Sequence, residues 1–350
     1  FITFDSSINY YITLLTMRLE LFFKSTVELT SLLDNLSQCR IKLNDFRSKD
    51  CLSELVEDYS TFCTAFNLAN KIKNDNILSN AEVIRKKFPS ADICTHYSIK
   101  YNSRSTVEAS FNYFNDFISK SKSQGIDEIL VVSGGGEKKT FNTVSCLQML
   151  VKDRVSRENL HPLKLGVAFN PYIPDSGSLV EISRLKDKLS TNLVSSINLQ
   201  FGSDVLLLRR RLEDITNLLN DLSSNSNEFQ KPKIVGSVFI PSKQLLARMR
   251  FRPWNGVFLS DAFLSSVEEA EKIVKEILLI YKEFEIVSLV ETAVRNDAEV
   301  KHMLNLLSAT GKRTELDPPS MDLIQPQQEV PSKEIKSTKR KRNQKVIEKT

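Results

Sequence analysis

The chain has 350 residues, 41% of them hydrophobic and 26% charged, with ten Gly and eleven Pro. That length suits one large or two ordinary domains, and the near-average apolar content excludes disorder for the bulk of it. No run of about 18 apolar residues exists, which excludes a transmembrane helix. The net charge of +5 is concentrated at one end: Lys333 to Thr350 carries eight Lys or Arg against two Glu, leaving the rest near neutral. A fold built to bind nucleic acid would spread its basic surface over the domain. The five cysteines (Cys39, Cys51, Cys63, Cys94, Cys146) form an odd set without a Cys-x-x-Cys pair. This argues for free, buried thiols in a reducing compartment, and against a zinc ribbon or a disulfide framework. His96, His161 and His302 lie far apart without ligand spacing, so no metal site is expected.

Residues 1–16 are apolar and aromatic with no Lys or Arg, and fit neither a secretory signal nor a mitochondrial presequence. A truncated leader, a genuine extension and a gene-model artefact all remain open for them. Strand-like runs follow at Met17–Phe23, Ser60–Phe66, Ala91–Ile99, Glu128–Ser133, Leu163–Phe169, Val194–Phe201, Lys233–Ile240 and Glu285–Val290. Helical apolar spacing is found over Thr26–Gln38, Ala81–Lys87, Ser105–Ser123, Thr143–Val155, Ser178–Leu189, Asp204–Leu222, Ser266–Lys282 and Asp297–Ser308. From Thr310 the sequence turns polar and Pro-bearing, so residues 310–350 are expected to be a disordered basic tail.

Strands and helices alternating over about 290 residues suit an α/β fold of one kind above others, a single (βα)8 TIM-type barrel spanning 17–309. A doubly wound open sheet is the competitor, but no G-x-G-x-x-G or P-loop pattern follows an early strand. In a barrel, function sits at the C-terminal ends of the strands. Alternation then turns Glu20 into the lumen, and likewise Ser196, Asn198 and Gln200, with Ile197, Leu199 and Phe201 outward. A carboxylate and amides inside a barrel need hydrogen-bond partners. A ligand pocket and an internal polar network both provide them.

At these residues the chain resembles the methylenetetrahydrofolate reductase family, flavin-dependent βα barrels that reduce methylenetetrahydrofolate. The likeness runs in order from about Met17 to Leu307, without the regulatory domain of eukaryotic members. Glu20-Leu-Phe-Phe is similar to the family's Glu-Phe-Phe-Pro-Pro, Thr95-His96-Tyr-Ser to its Pro-His-Leu-Thr, and the stretch from Gly125 to Gly134 to its Gly-Ile-x-x-Ile-x-Ala-Leu-Arg-Gly-Asp. Leu165-Gly-Val-Ala-Phe-Asn-Pro, Leu185-Lys-Asp-Lys188 and Ile197-Asn-Leu-Gln-Phe-Gly-Ser-Asp204 follow three further motifs. Ile234-Val-Gly and Thr292-Ala-Val-Arg295 echo the last two.

The resemblance implies Glu20 as the acid that protonates the pterin nitrogen, Gln200 as the amide on the pterin edge, and Arg295 near the folate tail. It implies His96, Ser133, Gly134 and Lys188 as contacts of FAD, with Lys188 on the phosphate side and NAD(P)H as electron donor. The departures fall mostly on the flavin side. The flavin-tuning Asp of Arg-Gly-Asp is replaced in Ser133-Gly134-Gly135, and the flavin-contacting His has no counterpart in Tyr172-Ile-Pro-Asp. Asn170 stands for a Tyr, Phe23-Lys24 for Pro-Pro, and Val294 for an Asn. Four or five lost contacts at ~1 kcal/mol each weaken flavin binding about a thousandfold.

Two functions follow from the resemblance. One is a FAD-dependent reductase acting on a folate-type small molecule. The other is a lapsed barrel, a pseudoenzyme serving as a binding or scaffold protein in an assembly. A barrel enzyme using the Gly134–Gly136 loop for another phosphate stands behind them. The turn Ser133–Lys139 reads equally as a phosphate cradle or a surface loop. Trp254 reads as a ligand-stacking ring or a loop anchor. The Lys339–Arg342 cluster reads as a nuclear address, a phosphate-binding arm or a plain solvated tail, and only through it is nucleic acid a partner. No membrane partner is expected. The compartment is expected to be intracellular, with cytoplasm, mitochondrion and nucleus all open.

Overall fold

The structure is a computed structural model that describes residues 16–20, 38–44, 63–69, 74–87, 89–134, 141–291, 302 and 306. The chain divides into two compact units, Phe1–Lys312 and Arg313–Thr350. The second unit, and with it the expected tail, lies outside the described residues. So do residues 1–15, the turn from Gly135 to Lys139, Arg295, and most of the two helices expected over Thr26–Gln38 and Asp297–Ser308.

Among the described residues, nine strands form a closed barrel, each parallel to its neighbours. They are β1 (Thr16–Glu20), β2 (Gln38–Asn44), β3 (Cys63–Ala69), β4 (Asp92–Ser98), β5 (Glu128–Val132), β6 (Lys164–Phe169), β7 (Val194–Leu199), β8 (Lys233–Val238) and β9 (Val287–Glu291). The expected α/β barrel is therefore present, but with nine strands in place of eight. The added strand is β2. Its sequence Gln-Cys-Arg-Ile-Lys-Leu-Asn alternates polar and apolar residues, the period of a strand. The helical spacing that leads into Gln38 hides that period in the sequence.

Helices cover the outer face. α1 (Asn74–Lys87) precedes β4, and a single turn, α2 (Ile99–Asn102), follows it. In α3 (Val107–Ser123) the Thr106 hydroxyl caps the Ala109 N–H, and Phe111, Phe114, Phe117 and Ile118 form the buried stripe. Phe114 and Phe117 pack on Tyr97 of β4 with ring centroids 4.8 and 5.0 Å apart. Tyr97 therefore faces the helices, and its neighbours His96 and Ser98 face the lumen. The helix expected over Thr143–Val155 is two pieces, α4 (Thr143–Lys152) and α5 (Arg154–Leu160). The break comes at Asp153, which leaves helical geometry and accepts from the Val155 N–H to start the second piece.

α6 (Asp175–Leu189) and α7 (Val205–Asn225) follow β6 and β7, and the Asp204 side chain caps α7 at Leu207. After β8 come α8 (Lys243–Phe251) and α9 (Asp261–Ser265), two short helices that the apolar spacing does not announce. In α10 (Val267–Glu283), Ala270, Val274, Ile277, Leu278 and Tyr281 are buried at spacings of three and four. Each large apolar side chain there contributes about 1.5–3 kcal/mol. Gly236 of β8 receives this helix. A Cβ there would lie 2.3 Å from the Tyr281 ring, so any larger residue pushes α10 off the barrel.

Candidate functional site in the barrel lumen

Lumens of this architecture are usually filled by Val, Ile and Leu. Between β3 and β9 this one is largely polar. Near its N-terminal end, Glu128 of β5 is fully buried, with Lys233 Nζ of β8 3.0 Å from Oε2 and the Ser196 hydroxyl of β7 donating to Oε1. Asn198 Nδ2 donates in turn to Ser196 Oγ at 3.0 Å. Gly166 of β6 makes the room. A Cβ on it would stand 2.5 Å from Ser196 Oγ and 2.9 Å from Glu128 Oε1. Ser196 and Asn198 thus point inward, as alternation indicates. Glu128 is a site that sequence reasoning missed; its signal is a charge opening the apolar run Ile-Leu-Val-Val.

The C-terminal end differs. Asn67 of β3 is fully buried, and its Nδ2 lies 3.2 Å from His96 Nε2. Its Oδ1 has no hydrogen-bond partner among the described residues, and neither has the buried Ser98 Oγ. Turning the amide over only exchanges which of its polar atoms is left unpaired. An orphan of this kind costs about 1–3 kcal/mol. On the opposite wall, Ser237 of β8 donates to Glu291 Oε1 of β9 at 2.8 Å. Asn67, Ser237 and Glu291 were all missed in the sequence, because strand ends show no alternation long enough to fix a face.

The expected site residues scatter. Glu20 ends β1, where its Cα partners are Lys42 on one side and Glu291 on the other; only its backbone is described. His96 is in the lumen beside Asn67. Gln200 follows β7, half-buried, with its backbone N–H donating to the Phe169 carbonyl at 2.9 Å.

Ser133 and Gly134 are exposed at the rim after β5. The Ser133 hydroxyl accepts from the Thr143 N–H at 3.1 Å and pairs with Thr143 Oγ1 at 2.8 Å, tying the loop to α4. Gly134 has φ +82, and a Cβ there would meet Lys100 at 2.6 Å, so backbone geometry alone accounts for this glycine.

Lys188 is elsewhere. It is buried on α6, outside the sheet, and donates to the Ala168 carbonyl at 2.8 Å. Desolvation lowers its pKa, with Glu181 opposing and Arg184 adding to the shift. Of the residues that the resemblance gives to FAD, His96 stands in the lumen, Ser133 and Gly134 lie at its rim, and Lys188 lies between α6 and β6.

A separate cavity of about 820 Å³ lies outside the lumen, bounded by Tyr172, the start of α7 and the segment 253–260. Leu206 and Phe258 are exposed at its edge. Trp254, next to it, meets Phe239 edge-on at 5.5 Å, which anchors its loop. Among the described residues, no three His, Cys, Asp or Glu side chains gather to hold a metal ion. No described helix is long and apolar enough to cross a membrane. Cys94 and Cys146 are buried and form no disulfide.

No family model matches the chain, and no curated protein matches its sequence. Solved structures do match. A protein from Clostridium thermocellum that binds two copies of 5-methyl-5,6,7,8-tetrahydrofolic acid aligns over 86% of this chain and 98% of its own, with 13% identity and a TM-score of 0.51. Xylanase 10B of Thermotoga petrophila, in complex with xylobiose, aligns over 77% and 86% with 12% identity and a TM-score of 0.49. Xylanase 10B of Thermotoga maritima aligns over 83% and 86% with 9% identity and a TM-score of 0.43. The first likeness fixes the class as a TIM-like α/β barrel, and at such identities it fixes nothing finer.

Proposed function

We propose that this barrel binds a folate-type small molecule at the C-terminal mouth of its lumen and has lapsed as a flavin-dependent reductase. The observation that carries the reading is the half-paired amide of Asn67, buried among polar groups at the end where βα barrels keep their sites. A pterin ring presents alternating donors and acceptors along one edge. Amide, hydroxyl, imidazole and carboxylate groups from β3, β4, β8 and β9 are the types that read such an edge. The methyltetrahydrofolate-binding protein of the same fold supports this choice of ligand. In this reading Glu20 and Gln200 lie on the folate side, and Arg295 takes the anionic tail.

The dispersal of Lys188 and Ser133 favours a binding or scaffold role in an assembly over turnover. The reductase reading keeps Glu20 at the end of β1 and His96 in the lumen, and requires FAD with NAD(P)H as donor. In the domain reading that goes with both, residues 1–16 are an extension, 17–309 the barrel and 310–350 the tail. One test separates them. The purified full chain is mixed with excess FAD, desalted, and its visible absorbance recorded. The binding reading expects no retained flavin band. A retained band, followed by oxidation of NAD(P)H with methylenetetrahydrofolate, would establish the reductase.

A further inference from the structure

Outside the lumen, the cavity of about 820 Å³ lies between the β6–α6 turn, the first turn of α7 and the segment 253–260. Its walls are mostly apolar, with Leu206, Leu207, Met249, Val257 and Phe258 among them. The apolar surface does not stop at the cavity edge. Leu206 is 82% exposed, Phe251 at the end of α8 is 92% exposed, and Trp254 and Phe258 in the loop that follows are exposed too. Such side chains are ordinarily scattered singly over a surface, and a set of them at one cavity is the signature of an interface.

The charge beside it is one-sided. Lys243, Arg248, Arg250 and Arg252 lie within ten residues of sequence that hold no acid. Lys243 has Glu268 as a counter-charge, and Arg250 donates to the Leu264 and Ser265 carbonyls at the end of α9. The guanidinium groups of Arg248 and Arg252 are exposed and have no hydrogen bond or ion pair among the described residues. Two nearby acids are engaged elsewhere: Asp175 is held by Arg210 and Arg211, and Asp204 caps α7. Asp261 stands exposed in the first turn of α9.

We infer that this face docks an acidic amphipathic segment of a partner protein, whose large apolar side chains enter the cavity while its carboxylates meet Arg248 and Arg252. A small molecule held inside the cavity would leave Phe251 and much of Leu206 in water, whereas a peptide covers both. A second copy packed by two-fold symmetry would bring the same arginines together from both sides, like charge against like. A flat anionic lipid surface matches the charge but leaves the cavity unfilled. The inference deepens the assembly part of the proposed function, on which it rests, and is independent of the ligand in the lumen.

The test is a selection of random displayed peptides on the purified full chain, with the enriched sequences then titrated as fluorescent peptides by anisotropy. Enriched peptides are expected to set Leu, Phe or Trp among Asp and Glu. Their affinity should fall about tenfold or more in Phe258→Ser and in the double variant Arg248→Glu with Arg252→Glu, and should weaken with added salt. Phe251→Ser is the second apolar probe if Phe258→Ser fails to fold, since Phe251 is almost fully exposed. Replacing Lys339–Arg342 by Ala should leave the affinity unchanged, which separates this face from the basic tail. No enrichment of acidic, apolar-bearing peptides, or an affinity that only the tail replacement reduces, would overturn the inference. So would a dimer, or binding to phosphatidylserine vesicles, that the same substitutions abolish in a chain that binds no peptide. FAD retention and 5-methyltetrahydrofolate binding are measured in parallel. Retained FAD with turnover would remove the scaffold reading and leave a measured peptide affinity in place, and folate binding without peptide binding would remove this surface and leave the lumen site.

Discussion

The two ends of the lumen hold similar kinds of residue and use them differently. Toward the N-terminal end, Glu128, Ser196, Asn198 and Lys233 are linked to one another around the space left by Gly166. At the C-terminal end, Asn67 and Ser98 keep buried oxygens that no described residue pairs. A polar network closed on itself stabilises and specifies the barrel, and one left open is arranged for something that arrives later. The difference also tells which substitutions change stability and which change binding.

The largest effect is expected at the closed end. Glu128→Ala removes a fully buried carboxylate and strands Ser196. Lys233 is about a third exposed and also lies 3.9 Å from Asp92, so water and that carboxylate take up part of its charge. The loss is therefore placed at the low end for a broken buried pair, about 3 kcal/mol, measured by urea unfolding. A loss below about 1 kcal/mol would mean that the closed network is ornamental. Gly166→Ala should cost about 1–3 kcal/mol by overpacking the same cluster, with folate binding unchanged once folded.

The open end should behave in the opposite way. Asn67→Leu replaces a half-satisfied buried amide by an apolar group of similar size, so unfolding free energy should move by less than about 1 kcal/mol. Affinity for 5-methyltetrahydrofolate should fall about tenfold, the equivalent of one lost hydrogen bond of ~1.4 kcal/mol. A stability loss with intact affinity would place Asn67 among the structural groups.

The smallest effect belongs to Lys188, outside the lumen. Its folded pKa is lowered by burial, so the unfolded chain binds more protons between that pKa and the ordinary value near 10.4. Stability should rise with pH through that window and be fully present above it. Below the folded pKa the contribution is lost and the pH dependence levels off. Lys188→Met should flatten the rise, as read by unfolding at a series of alkaline pH values, and leave flavin and folate binding alone.

Much of the barrel was legible in the sequence, because burial under helices leaves apolar runs such as Leu163–Phe169 and stripes such as Phe111, Phe114 and Phe117. What was not legible depends on neighbours in space. β2 alternates properly but abuts a helical pattern, and α8 is too short to show a period. Ser196 and Asn198 could be placed by alternation within one strand. Asn67, Glu128 and Glu291 sit near strand ends, where only the register across the barrel assigns a face. Lys188 shows the limit of a matched motif. Its place in the spacing suggests a phosphate contact, while the geometry of α6 spends it on the Ala168 carbonyl.

The most direct measurement is a calorimetric titration of the purified full chain with 5-methyltetrahydrofolate, repeated on Asn67→Leu and Gly166→Ala. The account expects saturable binding to the wild type, weakened about tenfold in Asn67→Leu and kept in folded Gly166→Ala. Absence of saturable heat in a folded wild-type chain, or equal affinity in Asn67→Leu, would contradict the claim that the open end of the lumen is the ligand site.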